Sequence, residues 1–286
     1  MPVYTDSDWM QQALALAAQG HGLASPNPLV GALVVQGDEI VGQAFHTYDG
    51  LKHAEVLTLE QAGERARDAT LYTNLEPCCH YGRTPPCTER ILAAGVGRVV
   101  AAMADPNPAV SAQSFAQLRA AGIEISVGVC EEEAKHLNEA FARYIRSGFP
   151  LVTLKAALTL DGKIAPAAST ASERWISSEE SRAFVQVLRH QHDAVLTGVG
   201  TVLADDPLLT DRSGQPRRRR LLRVVLDTRL RIPLDCQLVR TAQDDVLVYA
   251  AEDASPGKRR ELERCGVEVR FAKEVGGEVG LRAVLR

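Results

Sequence analysis

Over residues 7–19 the apolar positions Trp9, Ala13, Leu14, Leu16 and Ala17 recur at helical spacing, with Asp6, Ser7 or Asp8 available as the cap, so a first helix is expected. The pattern then changes to two β-rich runs, LVGALVVQ (29–36) and EIVGQAF (39–45), which meet at Gly37-Asp38 and read as a hairpin. Helical spacing returns from His53 to Ala62 and stops at Gly63. A strand, TLYTNL (70–75), and a short helix, TERILAAG (88–95), closed by Gly95, come next. The runs GRVVAAM (97–103), SFAQLRAAG (114–122) and IEISVGV (123–129) repeat strand, helix, strand, and a helix from Glu131 to about Arg146 closes the segment. Such alternation predicts a three-layer α/β domain whose sheet is largely parallel after its opening hairpin.

Ser147-Gly148-Phe149-Pro150 is turn chemistry followed by a new apolar run, which sets a domain boundary and gives domains of 1–148 and 149–286. The second half alternates again. Its expected elements are strands at LVTLKAAL (151–158), 193–197, 221–227, 245–250 and 267–272, with helices near 179–191 and 257–264. No repeat of the first domain is evident. The basic run from Arg217 to Arg220 reads as a solvated loop, with binding of an anionic group as the alternative.

Composition narrows the function classes. At 286 residues the chain is long for one core, and 45% hydrophobic with 24% charged residues suits a globular protein. A net charge of −4 supplies no overall positive field for a nucleic-acid backbone, although the first 150 residues are net acidic and the rest net basic. The N-terminus lacks a charged flank followed by an apolar stretch, and no apolar run reaches spanning length, so a cytoplasmic protein without membrane contact is expected. Three of the six cysteines crowd into residues 78–87, which points to metal or redox chemistry.

His53-Ala54-Glu55 followed by Pro77-Cys78 has the residue types of a zinc deaminase: metal ligands, an open position for water, and a carboxylate that carries protons without binding metal. Tyr81 occupies the place that would complete Cys-x-x-Cys, which leaves Cys79 or Cys87 as third ligand. Adjacent side chains diverge, so Cys87 is the better candidate; it precedes a helix, whose amides and dipole favour a thiolate. Glu55 is then the catalytic proton carrier, and one zinc per chain is expected. A structural zinc with His80 or Cys79 as fourth ligand, and a metal-free cysteine cluster, are the competing readings.

HAE at 53–55 with LEPCCHYGRTPPC at 75–87 closely resembles the deaminase domain of the bifunctional riboflavin-biosynthesis diaminohydroxyphosphoribosylaminopyrimidine deaminase/5-amino-6-(5-phosphoribosylamino)uracil reductase family. The resemblance makes His53, Cys78 and Cys87 the metal ligands, Glu55 the proton carrier and Cys79 a bystander. It implies that Asn27, within SPNPLVG (25–31), contacts the pyrimidine, and that His46, also at a family position, binds substrate. LKAALTLDGKIA (154–165), RWIS (174–177) and TGVGTVLADDPLLTDR (197–212) resemble the family's reductase domain, of dihydrofolate-reductase-like fold. By position, Trp175, Thr201, Asp205 and Thr228 would lie near NADPH, and Lys155, Arg189, Leu209 and Arg212 would face the phosphorylated substrate. An arginine suits a phosphate because its planar fork pairs two oxygens.

The implied activity is zinc-dependent removal of the 2-amino group of 2,5-diamino-6-ribosylamino-4(3H)-pyrimidinone 5′-phosphate, followed by NADPH-dependent reduction of ribosyl to ribityl. The resemblance also implies a homo-oligomer. Two departures stand out: Glu173 replaces an expected serine, and the chain ends at GLRAVLR, before the family's Glu-Gly-Gly-Pro-like motif, so an incomplete reductase domain with an unpaired sheet edge is expected. The alternative is a deaminase of another nucleotide or base whose C-terminal half is a non-catalytic binding or oligomerisation module.

Overall fold

The computed structural model describes residues 4–108, 110–164 and 175–286, and the chain divides into two compact units, Met1–Leu151 and Val152–Arg286. Among the described residues no helix is long and apolar enough to cross a membrane.

The first helix, α1 (Asp6–Ala18), is capped by Thr5 rather than by Asp6, Ser7 or Asp8. Thr5 Oγ1 accepts the Asp8 amide at 3.3 Å and Asp8 Oδ2 accepts the Thr5 amide at 2.7 Å, a reciprocal box that moves the cap one residue upstream. Asp6 is engaged elsewhere. Its carboxylate accepts the Tyr72 hydroxyl at 2.7 Å and two Arg98 N–H groups at 2.8 and 2.7 Å, tying α1 to the sheet.

The hairpin forms from β1 (Gly31–Gln36) and β2 (Glu39–Phe45), and β3 (Thr70–Thr73), β4 (Arg98–Ala101) and β5 (Glu124–Val127) complete a sheet of order β2-β1-β3-β4-β5. β1 is antiparallel to both neighbours; β3, β4 and β5 run parallel. Helices α2 (Ala54–Ala62), α3 (Cys87–Ala94) and α4 (Gln113–Ala120) line one face, and α1 with α5 (Glu131–Leu137) lines the other. Both faces are therefore covered, and Leu33, Val34, Leu71, Val99 and Val100 are fully buried.

Glycine lets the hairpin be covered closely on both sides. A Cβ on Gly31 would lie 2.2 Å from the Ala13 carbonyl oxygen of α1, and one on Gly42 would lie 2.3 Å from the Thr58 carbonyl oxygen of α2. The two helices thus pack directly onto backbone.

The helix expected over 131–146 is two helices, α5 and α6 (Glu139–Ser147), separated at Asn138. Asn138 ends one helix and starts the next, with φ −104° and ψ 17°. Its side chain is 2% exposed and bonds the backbone of Leu29, a tertiary contact that overrides continuous helical periodicity.

In the second unit, α7 (Glu179–Gln191), β6 (Ala194–Gly198), α8 (Val199–Asp205), β7 (Leu222–Leu226), α9 (Gln237–Arg240), β8 (Val246–Ala250), α10 (Pro256–Arg264) and β9 (Val267–Phe271) build a parallel sheet of order β6-β7-β8-β9. A small hairpin, β10 (Glu274–Val275) with β11 (Glu278–Val279), turns through Gly276 and Gly277, both at positive φ, before α11 (Leu281–Val284). The strand expected at 151–158 does not form. Its alternation is right, but a strand needs a ladder: among the described residues β6 pairs only with β7, and Leu154 is 92% exposed.

Candidate active site and metal centre

The chain leaving β3 builds the site's floor. Asn74 Oδ1 accepts the Gly31 amide at 2.8 Å, and the buried Glu76 carboxylate accepts the amides of Asp105, Ala112 and Ser114 together with the Ser114 hydroxyl, at 2.7–3.1 Å. These bonds fix the backbone on the near side of Pro77-Cys78. Cys78 then meets two helix starts: His53, the N-cap residue of α2, and Cys87, the first residue of α3.

His53 Nδ1 lies 3.2 Å from Cys87 Sγ and 3.4 Å from Cys78 Sγ, and one ligand atom from each residue falls within 4.8 Å of the others. One imidazole and two sulfurs form a donor set that suits zinc, so the residues fit the metal. Cys79 and His80 lie outside this group. The helix-head amide acts differently from expectation: the Cys87 N–H donates to Cys78 Sγ at 3.3 Å. The hydrogen bond from the Cys87 thiol, helped by His53 and then by the Cys87 amide, holds Cys78 well below the usual thiol range against burial, whereas donation to Cys78 and burial push the Cys87 thiol up.

Glu55 is the second residue of α2, within its first turn, and 3% exposed. Burial pushes its carboxyl up to about 7, against the opposing pull of His53, and Oε2 has no hydrogen-bond partner among the described residues. A buried carboxyl with one free oxygen beside a metal-ligand set can take up and release a proton.

Beside the centre opens a cavity of about 160 Å³ walled by Asn27, Tyr48, His53, Cys78, His80 and Arg83. Asn27 Nδ2 donates to His46 Nε2 at 2.9 Å, and His46 Nδ1 donates to the Lys52 carbonyl at 3.1 Å, which fixes one neutral tautomer of a ring whose pKa is lowered by burial. The His46 and His53 rings meet edge to face at 5.3 Å. Arg83 lies over the Tyr48 ring at 4.4 Å. Tyr48 and Arg83 carry no spacing signal that singles them out, and the sequence singles out His80 only as a spare metal ligand; the loop after β2 brings Tyr48 to the cavity, and the 78–84 loop brings His80 and Arg83.

The second unit gathers its residues less tightly. Thr201 follows β6 within α8 and Thr228 follows β7, so both fall at the carboxyl ends of adjacent parallel strands, where open α/β sheets take ligands, and the residues fit a dinucleotide to that extent. Thr228 Oγ1 donates to Glu278 Oε2 at 3.0 Å and accepts the Val279 amide at 3.3 Å. Trp175 is 66% exposed beneath the Arg182 guanidinium, and Lys155 and Asp205 are exposed. Arg189 is half-buried; burial and the charge of Arg212 lower its pKa, and its Nη1 donates to the Thr210 carbonyl at 2.9 Å. Leu209, the residue before Thr210, has φ +53° and packs against the unit's core. Glu173 lies outside the described residues.

The solvated reading of the Arg217 run fails at its first residue. Arg217 donates to Asp211 Oδ2 at 2.8 Å and to the carbonyls of Arg189, His190 and His192, so it caps the C-terminus of α7 with its side chain largely covered. Five carbonyl and carboxylate acceptors, the Arg219 carbonyl included, converge on one guanidinium and outweigh its hydration.

Residues 3–103 match the family described as the cytidine and deoxycytidylate deaminase zinc-binding region, and residues 150–286 match the RibD C-terminal domain. The riboflavin biosynthesis protein RibD of Aquifex aeolicus is 47% identical over 94% of this chain and 74% of its own length, and that of Escherichia coli K12 is 42% identical over 87% and 70%. Among solved structures, Acinetobacter baumannii RibD is similar with a TM-score of 0.81 at 40% identity, over 94% of this chain and 74% of that one. The diaminohydroxyphosphoribosylaminopyrimidine deaminase/5-amino-6-(5-phosphoribosylamino)uracil reductase of Thermotoga maritima gives 0.78 at 36% identity, over 95% and 82%. With its donor triad, its buried carboxyl and its two α/β units, the chain belongs to the RibD family of riboflavin-biosynthesis enzymes, which join a zinc-binding deaminase unit to a reductase unit.

Proposed function

We propose that the first domain, 1–148, hydrolytically deaminates 2,5-diamino-6-ribosylamino-4(3H)-pyrimidinone 5′-phosphate, and that the second, 149–286, reduces the ribosyl group of the product with NADPH. The observation that carries the first half is the convergence of His53, Cys78 and Cys87 beside a buried carboxyl with a free oxygen. His53, Cys78 and Cys87 would hold one zinc ion, which when bound supplies the Lewis acidity that makes water a nucleophile near neutral pH. Glu55 takes a proton from the attacking water as the C–O bond forms and delivers it to a ring nitrogen, then moves the remaining hydroxyl proton to the amino group as the C–N bond breaks, leaving a ring carbonyl and ammonia. The Asn27 amide and the neutral His46 ring orient the pyrimidine, and Arg83 offers the cavity wall a planar guanidinium suited to the 5′-phosphate.

In the second domain Arg189, Arg212, Leu209 and Lys155 would face the ribosyl phosphate, while Trp175, Thr201, Asp205 and Thr228 would lie against NADPH, which when bound supplies hydride. A half-buried arginine beside a second arginine favours an anion there. We further propose that the protein works in the cytoplasm as a homo-oligomer, as its resemblance to the family implies.

The test is ammonia release by zinc-loaded protein from the diaminopyrimidine ribosyl phosphate, with cytidine, deoxycytidylate and guanine in parallel, followed by loss of NADPH absorbance. Release from the first substrate alone, then NADPH oxidation, is expected. Release from another base only overturns the substrate assignment; NADPH binding without oxidation overturns the reductase half and leaves a binding module.

A further inference from the structure

We infer that Asn138, 109 positions away in the chain, is a positioning residue for the substrate-facing loop of the deaminase cavity. The inference rests on the reading that this cavity takes the pyrimidine. The loop 25–30 carries Asn27 to the cavity wall but belongs to neither helix nor strand, so its backbone polar groups need partners from outside. Leu29 is where the two side-chain amides meet it. Its N–H donates to Asn138 Oδ1 at 2.8 Å, and its carbonyl accepts Asn138 Nδ2 at 3.0 Å and Asn74 Nδ2 at 2.9 Å. Both lone pairs of the carbonyl and the single amide proton are thereby used, two of the three bonds coming from Asn138.

A primary amide brackets a peptide in this way whatever the pH, since it offers a donor and an acceptor on one short, planar group that does not titrate. The site at Asn138 is made for it: the side chain is 2% exposed, and the helix there is broken into α5 and α6. Next along the chain, the Val30 carbonyl accepts the His46 amide at 2.8 Å, so the bracket at Leu29 stands between Asn27 and His46, the pair that meet at 2.9 Å. Asn138 touches neither the donor triad nor Glu55. Its effect is therefore on how the ring is held and not on the proton transfer.

Asn138→Asp, with its carboxyl ionised, tests this with almost no change of shape: the carboxylate still accepts the Leu29 amide, but its second oxygen faces the Leu29 carbonyl where a donor stood. Because the protonated acid would restore that donor, the KM of the variant is read across pH and the effect is expected on the alkaline side of its titration. Expected is a rise of about tenfold in KM for the diaminopyrimidine ribosyl phosphate, with kcat changed by less than about twofold and one zinc retained. Hydrogen exchange at the Leu29, Gly31 and Asn27 amides should accelerate in the variant. A purely structural residue would instead lower the active fraction, and with it kcat and zinc content, at unchanged KM; that result, or unchanged exchange at the loop, overturns the inference. Wild-type protein that releases no ammonia from this substrate overturns the substrate reading itself, which the variant data do not address.

Discussion

Glu55→Gln lowers the rate of ammonia release by about 10²–10⁴-fold, the range for losing a positioned proton carrier, while the protein keeps one zinc. Glutamine preserves the shape and one acceptor oxygen but cannot shuttle a proton. The site of the change is closed: Glu55 is 3% exposed, so no solvent base stands in readily for the missing carboxylate. Because Oε2 has no partner among the described residues, the substitution breaks no described bond at that atom, and folding is expected to survive. Single-turnover ammonia release and metal content, measured on the same preparation, check both halves. Normal turnover by a zinc-loaded variant would remove Glu55 from the mechanism.

The second large effect is on the metal. Cys87→Ser weakens zinc binding by more than about 100-fold, beyond the 10–100-fold typical of losing a supporting residue behind a ligand. Cys87 is fully buried at the head of α3 and its sulfur lies 3.2 Å from His53 Nδ1, so serine fills nearly the same space with a far poorer zinc donor. Cys79→Ser provides the contrast. Cys79 lies outside the triad, and its variant should retain one zinc through chelator competition. Zinc lost from Cys79→Ser and kept by Cys87→Ser would exchange their roles.

Much of the first unit is legible in residue order because its elements follow local rules. Periodicity over 7–19, alternation around Gly37-Asp38 and the glycines at 63 and 95 act within a few residues. The triad is legible for a related reason: metal ligands must be particular residue types, and three of the few His and Cys residues crowd into two short stretches. What escapes is decided by distant partners. The break at Asn138 depends on Leu29, the coverage of Arg217 on the end of α7, and the cavity wall at Tyr48 and Arg83 on how two separate loops meet. The run 151–158 has strand alternation, but alternation describes side chains, whereas a strand exists only where another edge accepts its backbone. The reductase residues are legible only through resemblance, since isolated arginines and threonines carry no pattern of their own.

X-ray absorption at the zinc edge of the metal-loaded protein reads the ligand set directly. The expected spectrum has two sulfurs near 2.3 Å and one protein nitrogen near 2.0 Å, with the fourth position not filled by protein. A third sulfur or a second imidazole would close the site with protein ligands, making the zinc structural and contradicting a deaminase centre built on His53, Cys78, Cys87 and Glu55.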